Sequence, residues 1–518
     1  MPGTLLCRLV NRPPGDPGTP AAVTEQGAEA RDGIAVPPDQ PGVAPAVAQV
    51  RRFLRRHGLF TAVLLAGAVV RVIAMLGFPG AMRTPDSTRY VQNAVHLTPG
   101  SVRPSGYSVM LWLLRPFHSL LAVVGVQHLL GLGIAVLGYA LLRRAGLPGR
   151  GATLAMVPVL LSAYAVQLEH FVMSDTLFTA LVMIAIALMM WWPDPPWWAC
   201  AVIGLLLAGA GLTRSEGAAL LIVFLIFLGT RFRGRPTVAG AIAMCAAFAI
   251  PVAGYAAWYD SVYGQFELTS STGAFMYAGV ATFADCAKFN PPVTERRLCL
   301  NVPVNERKWP DYYIWAGPLA DVPGGSFGQR ADRLGKGFAL RAIRAQPLDY
   351  LRTVADSFVA DFLPPPSASA SSPAERNRAL HLSEFMFPAM PPRPPSPHAA
   401  HVFSSYDPAA PGLRVVQPYA GWIRAYQRYV VVVGPLLGLI VLLGLGGVIV
   451  AWRRWGGPAL LPWLVGLCLL AAPAAIAESY PRYLVGDIPP LCVAAALGVQ
   501  QMVAAVQRFR AGRHPAAA

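Results

Sequence analysis

The residues best suited to chemistry lie in one polar segment, residues 82–107, which directly follows the first long apolar stretch. This segment carries a single carboxylate, Asp86, among basic and phenolic side chains, namely Arg83, Arg89, Arg103, Tyr90 and Tyr107. A carboxylate placed beside a substrate hydroxyl can accept its proton as a general base. Because Asp86 also precedes a helical pattern over residues 87–97, the alternative is that it only caps that helix.

Three further groups of polar residues lie next to predicted membrane spans. They are Glu169 with Asp175, Arg214 with Glu216, and Glu478 with Arg482 and Tyr483. Guanidinium groups stay charged and offer forked donors, so we expect Arg214 and Arg482 to bind a phosphate. The simpler alternatives are helix caps for Asp175 and Glu216, and a solvated loop position for Glu169. For Arg214 and Arg482 the simpler alternative is a salt bridge with the neighbouring acid, and for Tyr483 it is membership of an interfacial aromatic belt.

Arg71 lies inside the first apolar stretch, about two-thirds of the way across it. One interpretation is that its long side chain reaches the outer interface while its stem stays in lipid. The other is that an ionisable group inside a membrane marks a functional site. We include Arg71 among the predicted substrate-binding residues, together with Arg89, Tyr90, Tyr107, Glu169 and Tyr483.

The composition is that of a membrane protein. Of the 518 residues, 55% are hydrophobic and 13% are charged, and the mean hydropathy is +0.47. Soluble domains carry about 25% charged residues, which excludes a soluble enzyme of ordinary composition. The net charge of +16 requires no nucleic acid partner, because cationic loops orient membrane proteins and meet anionic lipid. Heavy use of arginine, alanine, glycine and proline indicates a bacterial source.

About twenty apolar residues cross a bilayer, and the sequence predicts an all-α polytopic protein with about ten such spans. The predicted spans are residues 59–78, 120–142, 152–166, 174–192, 198–212, 217–229, 238–258, 429–452, 458–476 and 484–506. Arginines gather at the loops that this count places inside, at residues 51–56, 143–150, 231–235, 453–454 and 508–510. The positive-inside rule then places both termini in the cytoplasm and the protein in the plasma (inner) membrane.

The predicted organisation has five parts. They are a disordered cytoplasmic tail (1–50), a transmembrane catalytic module (51–258) with a first outer loop (79–107), an extracytoplasmic loop region (259–428), C-terminal transmembrane helices (429–507) and a cytoplasmic tail (508–518). The loop region contains an amphipathic helical stretch, 330–362, broken near Gln346 and Pro347, and then a Pro/Ser-rich linker over 363–396. Cys286 and Cys299 also lie there, and an extracytoplasmic location favours a disulfide. Metal binding and free thiols stay open as alternatives, although no Cys/His cluster indicates zinc.

Several short motifs resemble a known family. They are Asp-x-x-x-Tyr at 86–90, Pro-x-Gly-Tyr at 104–107, Ser-Asp-x-Leu at 174–177, Leu-Thr-Arg at 212–214 and Pro-Arg-Tyr-Leu at 481–484. Together with the helical pattern at 339–362, they resemble the GT-C membrane glycosyltransferases, which include protein O-mannosyltransferases and the aminoarabinose transferases of lipid A. The resemblance covers residues 55–360 and 460–505.

The resemblance implies transfer of a sugar from a polyprenyl-phosphate donor to a lipid, glycan or protein hydroxyl on the outer face. It assigns catalysis to Asp86 as the base of an inverting displacement, with Asp175 as the second acidic position, and donor phosphate binding to Arg214 and Arg482. Ser87 stands where the protein mannosyltransferases have glutamate, which disfavours protein O-mannosylation. Some members of the family use a divalent metal, but no ligand set in this sequence requires one.

A polytopic transporter or lipid flippase is the main alternative. Such a protein would also need intramembrane charge, as at Arg71, but transporters of this kind show inverted repeats and polar groups near the midplane. We find no internal repeat, and the charges gather near one surface. A scaffold protein with a large outer loop is a third possibility, and it predicts no dependence on any single carboxylate.

Overall fold

The computed structural model describes residues 43–231, 234–364, 386–392, 394–409, 412–454, 456–476 and 481–511. Two units make up the chain, Met1–Phe53 and Leu54–Ala518. Most of the predicted tail at 1–50, most of the linker at 363–396 and Glu478 lie outside the described residues. The tail prediction is wrong at its end, because residues 43–50 are helical.

The described residues are helical, with no strand beyond a single bridge between Met82 and Phe171. The α-helices are α1 (Val43–Gly77), α2 (Pro85–His96), α3 (Gly106–Leu114), α4 (Leu120–Arg144), α5 (Gly149–Leu161), α6 (Ala163–Leu168), α7 (Asp175–Trp191), α8 (Trp197–Thr213), α9 (Leu220–Arg231), α10 (Arg235–Tyr263), α11 (Thr272–Ala281), α12 (Pro310–Trp315), α13 (Gln329–Ala345), α14 (Pro347–Ala360), α15 (Pro397–Tyr406), α16 (Tyr419–Tyr426), α17 (Gly434–Val450), α18 (Leu460–Ile476) and α19 (Pro481–Ala511). Short 3₁₀ turns lie at Arg115–Phe117, Ser215–Ala219, Cys286–Lys288, Arg296–Leu298, Val304–Glu306, Trp452–Arg454 and Gly457–Ala459.

Among the described residues, five helical segments are long and apolar enough to cross a membrane, judged by length and composition, so the chain is a multi-pass membrane protein. They are Arg55–Gly77, Leu120–Arg144, Arg235–Tyr263, Gly457–Ile476 and Arg482–Arg510. Five shorter apolar segments lie at the other predicted spans, namely Gly149–Leu161, Asp175–Trp191, Trp197–Thr213, Ser215–Thr230 and Gly434–Val450. The count of ten spans stays a prediction.

The predicted third span is not one continuous helix. Its helix stops at Ser162, whose backbone is extended, and α6 starts at the next residue. The backbone N–H of Ala163 donates to the carbonyl of Val430 at 2.8 Å instead of continuing the α5 ladder. The break therefore ties this part of the bundle to the segment that leads into α17.

Small residues allow the apolar helices to pack closely. A Cβ added at Gly204 in α8 would lie 2.2 Å from the carbonyl oxygen of Met244 in α10. One added at Gly498 in α19 would lie 2.3 Å from the carbonyl oxygen of Leu443 in α17. Glycine permits such backbone approach, which is a common basis of helix association in lipid.

The segment between α10 and α17 has a core of its own. Buried side chains of α11, α12 and α13 pack together there, among them Tyr277, Ile314 and Phe338. Cys286 and Cys299 are joined by a disulfide, with their Cα atoms 6.0 Å apart. The amphipathic stretch forms α13 and α14, and the helix break lies at Gln346, as the sequence predicts.

Candidate active site

Asp86 does not cap its helix, so the capping interpretation is wrong. Thr84 occupies the cap position of α2, and its Oγ1 accepts a hydrogen bond from the backbone N–H of Ser87 at 3.3 Å. Ser87 Oγ in turn accepts from the Thr84 N–H at 2.9 Å, which completes a capping box. Since the cap is made by other residues, the Asp86 carboxylate is available to the arginines around it.

Three guanidinium groups surround the Asp86 carboxylate. Arg89 Nη1 lies 3.6 Å from Oδ1, while Arg103 Nη2 and Arg482 Nη1 lie 3.4 Å and 3.7 Å from Oδ2. Burial by itself would raise the pKa of Asp86, but Arg103, Arg482 and Arg89 together hold it below its usual value. One carboxylate against three cations leaves an excess of positive charge beside it.

A second acidic position lies next to this group. Asp175 is the first residue of α7, and its Oδ1 accepts a hydrogen bond from Arg214 Nη1. Arg214 Nη2 also donates to Glu216 Oε1 at 3.0 Å. Asp175 Oδ2 is buried and has no hydrogen-bond partner within the described part of the chain. The structure therefore pairs the predicted second acid with the predicted phosphate-binding arginine.

Tyr483 connects the two acidic positions. Its ring lies 4.7 Å from the Arg214 guanidinium carbon and 4.9 Å from that of Arg482, within cation–π range. Arg482 Nη2 donates to the Tyr483 hydroxyl at 3.1 Å. Asp86, Arg482, Tyr483, Arg214 and Asp175 thus form one continuous site, built from residues almost 400 positions apart in sequence.

Gly106 explains how two of the motifs meet. A Cβ at this position would lie 2.6 Å from the carbonyl oxygen of Leu212 and 2.7 Å from Thr213 Oγ1. Only glycine lets the start of α3 rest against the end of α8. This contact places the loop that carries Arg103 beside the one that carries Arg214.

Tyr90 and Tyr107 lie inside the protein behind the arginines. Tyr90 is 3% exposed and its hydroxyl pairs with Ser174 Oγ at 3.1 Å, while burial raises its pKa to about 12. Tyr107 donates from its hydroxyl to Gln127 Oε1 at 2.7 Å. These contacts connect α2 with the start of α7 and α3 with α4, so both tyrosines hold helices together.

The loop region contributes aromatic rings that the sequence analysis missed. The Arg103 guanidinium lies 5.1 Å from the ring of Phe275, and that of Arg89 lies 5.3 Å from Phe327 and 5.8 Å from Trp315. The clustering of aromatic residues at 309–327 in an otherwise polar segment was the available signal. These rings form one wall of the site.

Arg71 and Glu169 form a buried ion pair, and Glu169 lines a small cavity together with Asp175. Arg71 Nε and Nη2 donate to the two Glu169 oxygens, each at 2.7 Å, and His128 Nδ1 lies 2.8 Å from Oε2. Arg71 is 2% exposed and Glu169 is 4% exposed. Glu169 is therefore not a solvated loop residue, and that interpretation is wrong. Arg71 is bonded inside the protein and is not extended into solvent.

The acidic side chains of the site are poorly suited to a divalent metal. Both Asp86 oxygens face guanidinium groups, and Asp175 and Glu216 share Arg214. Within the described ranges, no group of three or more histidine, cysteine, aspartate or glutamate residues could hold a metal ion. A metal would have to displace several arginines, so we assign no step to one.

No protein-family model matches the chain, and no curated protein matches it in sequence. Among solved structures it is similar to the oligosaccharyltransferase of Archaeoglobus fulgidus in the apo form (11% identity, 88% of this chain and 52% of that one, TM-score 0.39). It is also similar to the same archaeal enzyme, AglB, in complex with an inhibitory peptide and a dolichol-phosphate (14%, 90% and 53%, TM-score 0.37). A third is ArnT from Cupriavidus metallidurans in the apo state (15%, 88% and 78%, TM-score 0.32). The chain spans about half the length of the archaeal enzyme.

Proposed function

We propose that the protein is a membrane glycosyltransferase that moves a sugar from a polyprenyl-phosphate donor to a hydroxyl acceptor. The observation that carries this proposal is the Asp86 carboxylate held among Arg89, Arg103 and Arg482, with Arg214 joined to them through Tyr483. Such a site combines a base for a hydroxyl proton with forked donors for a phosphate.

The arginines would bind the donor phosphate and stabilise it as it leaves. In the transfer step the acceptor oxygen forms a bond to the anomeric carbon, and the bond from that carbon to the phosphate oxygen breaks. The polyprenyl phosphate departs with the electron pair and gains negative charge beside Arg482 and Arg214. Preorganised cations aimed at developing charge are among the largest contributions to catalysis.

Asp86 would accept the proton of the acceptor hydroxyl in the same step. Its lowered pKa makes it a weak base in the free protein, because three guanidinium groups stabilise the ionised form. A bound phosphate would draw part of that stabilisation to itself and so raise the pKa of Asp86. The carboxylate would therefore become a better base once the donor is in place.

The location of the site is compatible with transfer on the outer face, with the polyprenyl chain in lipid between helices. The Cys286–Cys299 disulfide supports an oxidising, extracytoplasmic setting for the loop region that walls the site. We propose that the site is outside, and we keep the prediction of cytoplasmic termini and a bacterial inner membrane, which rests on the arginines of the inner loops. The acceptor class stays a lipid, a glycan or a protein, and Ser87 continues to disfavour protein O-mannosylation.

A binding experiment with undecaprenyl phosphate tests this assignment. The purified full-length protein in detergent is titrated with this lipid as the wild type, Arg482→Gln and Asp86→Asn. We expect Arg482→Gln to weaken binding and Asp86→Asn to strengthen it, because the Asp86 carboxylate competes with phosphate for the same guanidinium groups. Removing a unit charge about 4 Å from the phosphate is worth about 1 kcal/mol in water-like surroundings, or roughly fivefold in affinity.

Asp194→Asn is the matched control, because Asp194 is exposed and lies beyond the opposite end of α7 from Asp175. It should bind as the wild type does. Equal affinity in all four proteins would contradict phosphate binding at the Asp86 site and would leave a scaffold role.

The buried Arg71–Glu169 pair gives little support to the transporter alternative. Besides its two bonds to Glu169, Arg71 donates through Nη1 to the carbonyl oxygens of Gly67 at 3.1 Å and Leu160 at 2.8 Å. A guanidinium with its donors used in this way holds helices together. It leaves little opportunity for exchange with a transported substrate.

A further inference from the structure

A basic cavity that does not include Asp86 lies next to the Met82–Phe171 bridge, and both bridge residues line it. The cavity has a volume of about 480 Å³ and is lined in part by three arginines, Arg83, Arg424 and Arg428. Its apolar walls include Met386, Pro388 and Leu413. Nothing in the proposed transfer reaction uses it.

The floor of this cavity is held firmly in place. Gln427 Oε1 accepts from the Phe387 N–H at 2.8 Å, and Gln427 Nε2 donates to the Phe387 carbonyl at 3.2 Å. The Phe387 ring packs 4.8 Å from the ring of Phe78 and 5.9 Å from that of His170. The Met82 N–H donates to the carbonyl of His170 at 3.0 Å. These contacts join the loops that line the cavity to one another and to the end of α1.

The charged side chains among the described lining residues are all arginines, and Asp407, which does not line the cavity, interacts electrostatically with Arg83. No aspartate or glutamate is among the described residues that line it. Arg424 and Arg428 make no ion pair with any acid in the described ranges, and Arg428 is exposed. They are four residues apart, at the end of α16 and in the turn that follows, where like charges repel. An anion bound between them would relieve this repulsion.

The position of the cavity indicates what kind of anion it accepts. Met82 and Arg83 follow the end of α1, a helix long enough to cross the membrane, and Arg428 shortly precedes the apolar helix α17. A cavity beside the ends of such helices would lie near the lipid headgroups, and forked guanidinium donors suit the phosphate that anionic headgroups carry. The mixture of arginines with methionine, proline and leucine fits a ligand that is charged at one end and apolar at the other.

We propose that this cavity binds the phosphate of an anionic lipid or a related phosphate ester, at a site distinct from the Asp86 site. The phosphate would lie between Arg424 and Arg428, and the glycerol or sugar part would contact the apolar wall. The inference rests on the cavity alone and stands whether or not the protein transfers sugars.

Native mass spectrometry of the full-length protein in detergent tests this inference by counting bound ligands. The probes are dihexanoyl phosphatidic acid, dihexanoyl phosphatidylcholine and inorganic phosphate at one ionic strength. The first variant carries Arg424→Gln and Arg428→Gln together. The second variant is Ala389→Trp, which fills the rim of the cavity without changing its charge. Arg330→Gln is the matched control, an exposed arginine at the start of α13.

We expect the wild type to bind one phosphatidate molecule. The affinity for it should fall at least tenfold in either cavity variant and less than twofold in Arg330→Gln. Arg482→Gln should keep this binding event, which separates the cavity from the Asp86 site. Displacement of phosphatidate by inorganic phosphate would assign recognition to the phosphate alone, and a lack of displacement would assign it to a lipid headgroup. Wild-type phosphatidate binding in both cavity variants, or equal binding of phosphatidylcholine, would overturn the proposal.

Discussion

The buried Arg71–Glu169 pair gives a sharp prediction about stability. Glu169→Gln keeps the size and shape of the side chain but removes its negative charge. Arg71, which is 2% exposed, would then be a buried cation without a counterion. The wild-type pair is joined by two hydrogen bonds of 2.7 Å, so the substitution changes charge with little change in packing.

Two magnitudes decide which effect dominates. Loss of an ordinary hydrogen bond costs about 1 kcal/mol, whereas removing one member of a buried ion pair costs about 3–5 kcal/mol because the partner charge stays buried. We therefore expect Glu169→Gln to lower the free energy of unfolding by about 3–5 kcal/mol. Adding Arg71→Met removes the unpaired cation. The free energy of unfolding of the double variant should therefore be at least about 2 kcal/mol higher than the sum of the two single effects predicts.

Reversible unfolding in mixed detergent micelles, followed by circular dichroism, measures these free energies. Glu267→Gln is the matched control, because Glu267 pairs with Lys336 at 2.9 Å but its side chain is 37% exposed. That exposed pair should be worth less than about 1 kcal/mol. If Glu169→Gln and Glu267→Gln have the same small effect, the reasoning about the buried charge is wrong.

Three further predictions concern pH, the disulfide and the phosphate-binding arginines. Burial lowers the pKa of His170 to about 3 in the folded protein, whereas histidine in an unfolded chain has a pKa of about 6.5. The free energy of unfolding should therefore be highest above pH about 6.5 and should fall by about 1.4 kcal/mol per pH unit between pH about 6.5 and about 3. His170→Gln should flatten this dependence in the same unfolding assay, and an unchanged slope would contradict it. Cys286→Ser should lose about 3 kcal/mol, as expected for opening a short loop, and reductant should destabilise the wild type but not the variant. Arg482→Lys should weaken undecaprenyl phosphate binding at least about tenfold, since lysine lacks the forked donors and the stacking on Tyr483. Equal affinities of the arginine and lysine forms would count against that role.

The sequence predicted the helical class and the place of each apolar helix, because hydrophobic length is a local property of the chain. It also predicted that Asp86, Asp175, Arg214 and Arg482 would gather, because their motifs all lie at one end of the predicted spans. The break at Ser162 could not be predicted, since it depends on a hydrogen bond to the distant Val430 carbonyl.

Side-chain pairing was the least predictable part of the site. Arg71 and Glu169 are 98 residues apart, and no pattern in either segment indicates that they form an ion pair with each other. The capping role of Thr84 was missed because Asp86 is itself a favoured cap residue. The aromatic wall from Phe275, Trp315 and Phe327 depends on how the loop region folds back, which no local pattern specifies.

If Asp86 is the catalytic base of a glycosyltransferase, its substitution should change the lipid content of the cell. Lipid extracts are compared by mass spectrometry for the wild type, a deletion, Asp86→Asn and Asp194→Asn at matched expression. We expect the deletion and Asp86→Asn to accumulate the same polyprenyl-phosphate sugar, whose mass identifies the sugar, while Asp194→Asn matches the wild type. If the deletion changes the lipids but Asp86→Asn behaves as the wild type, Asp86 has no catalytic role.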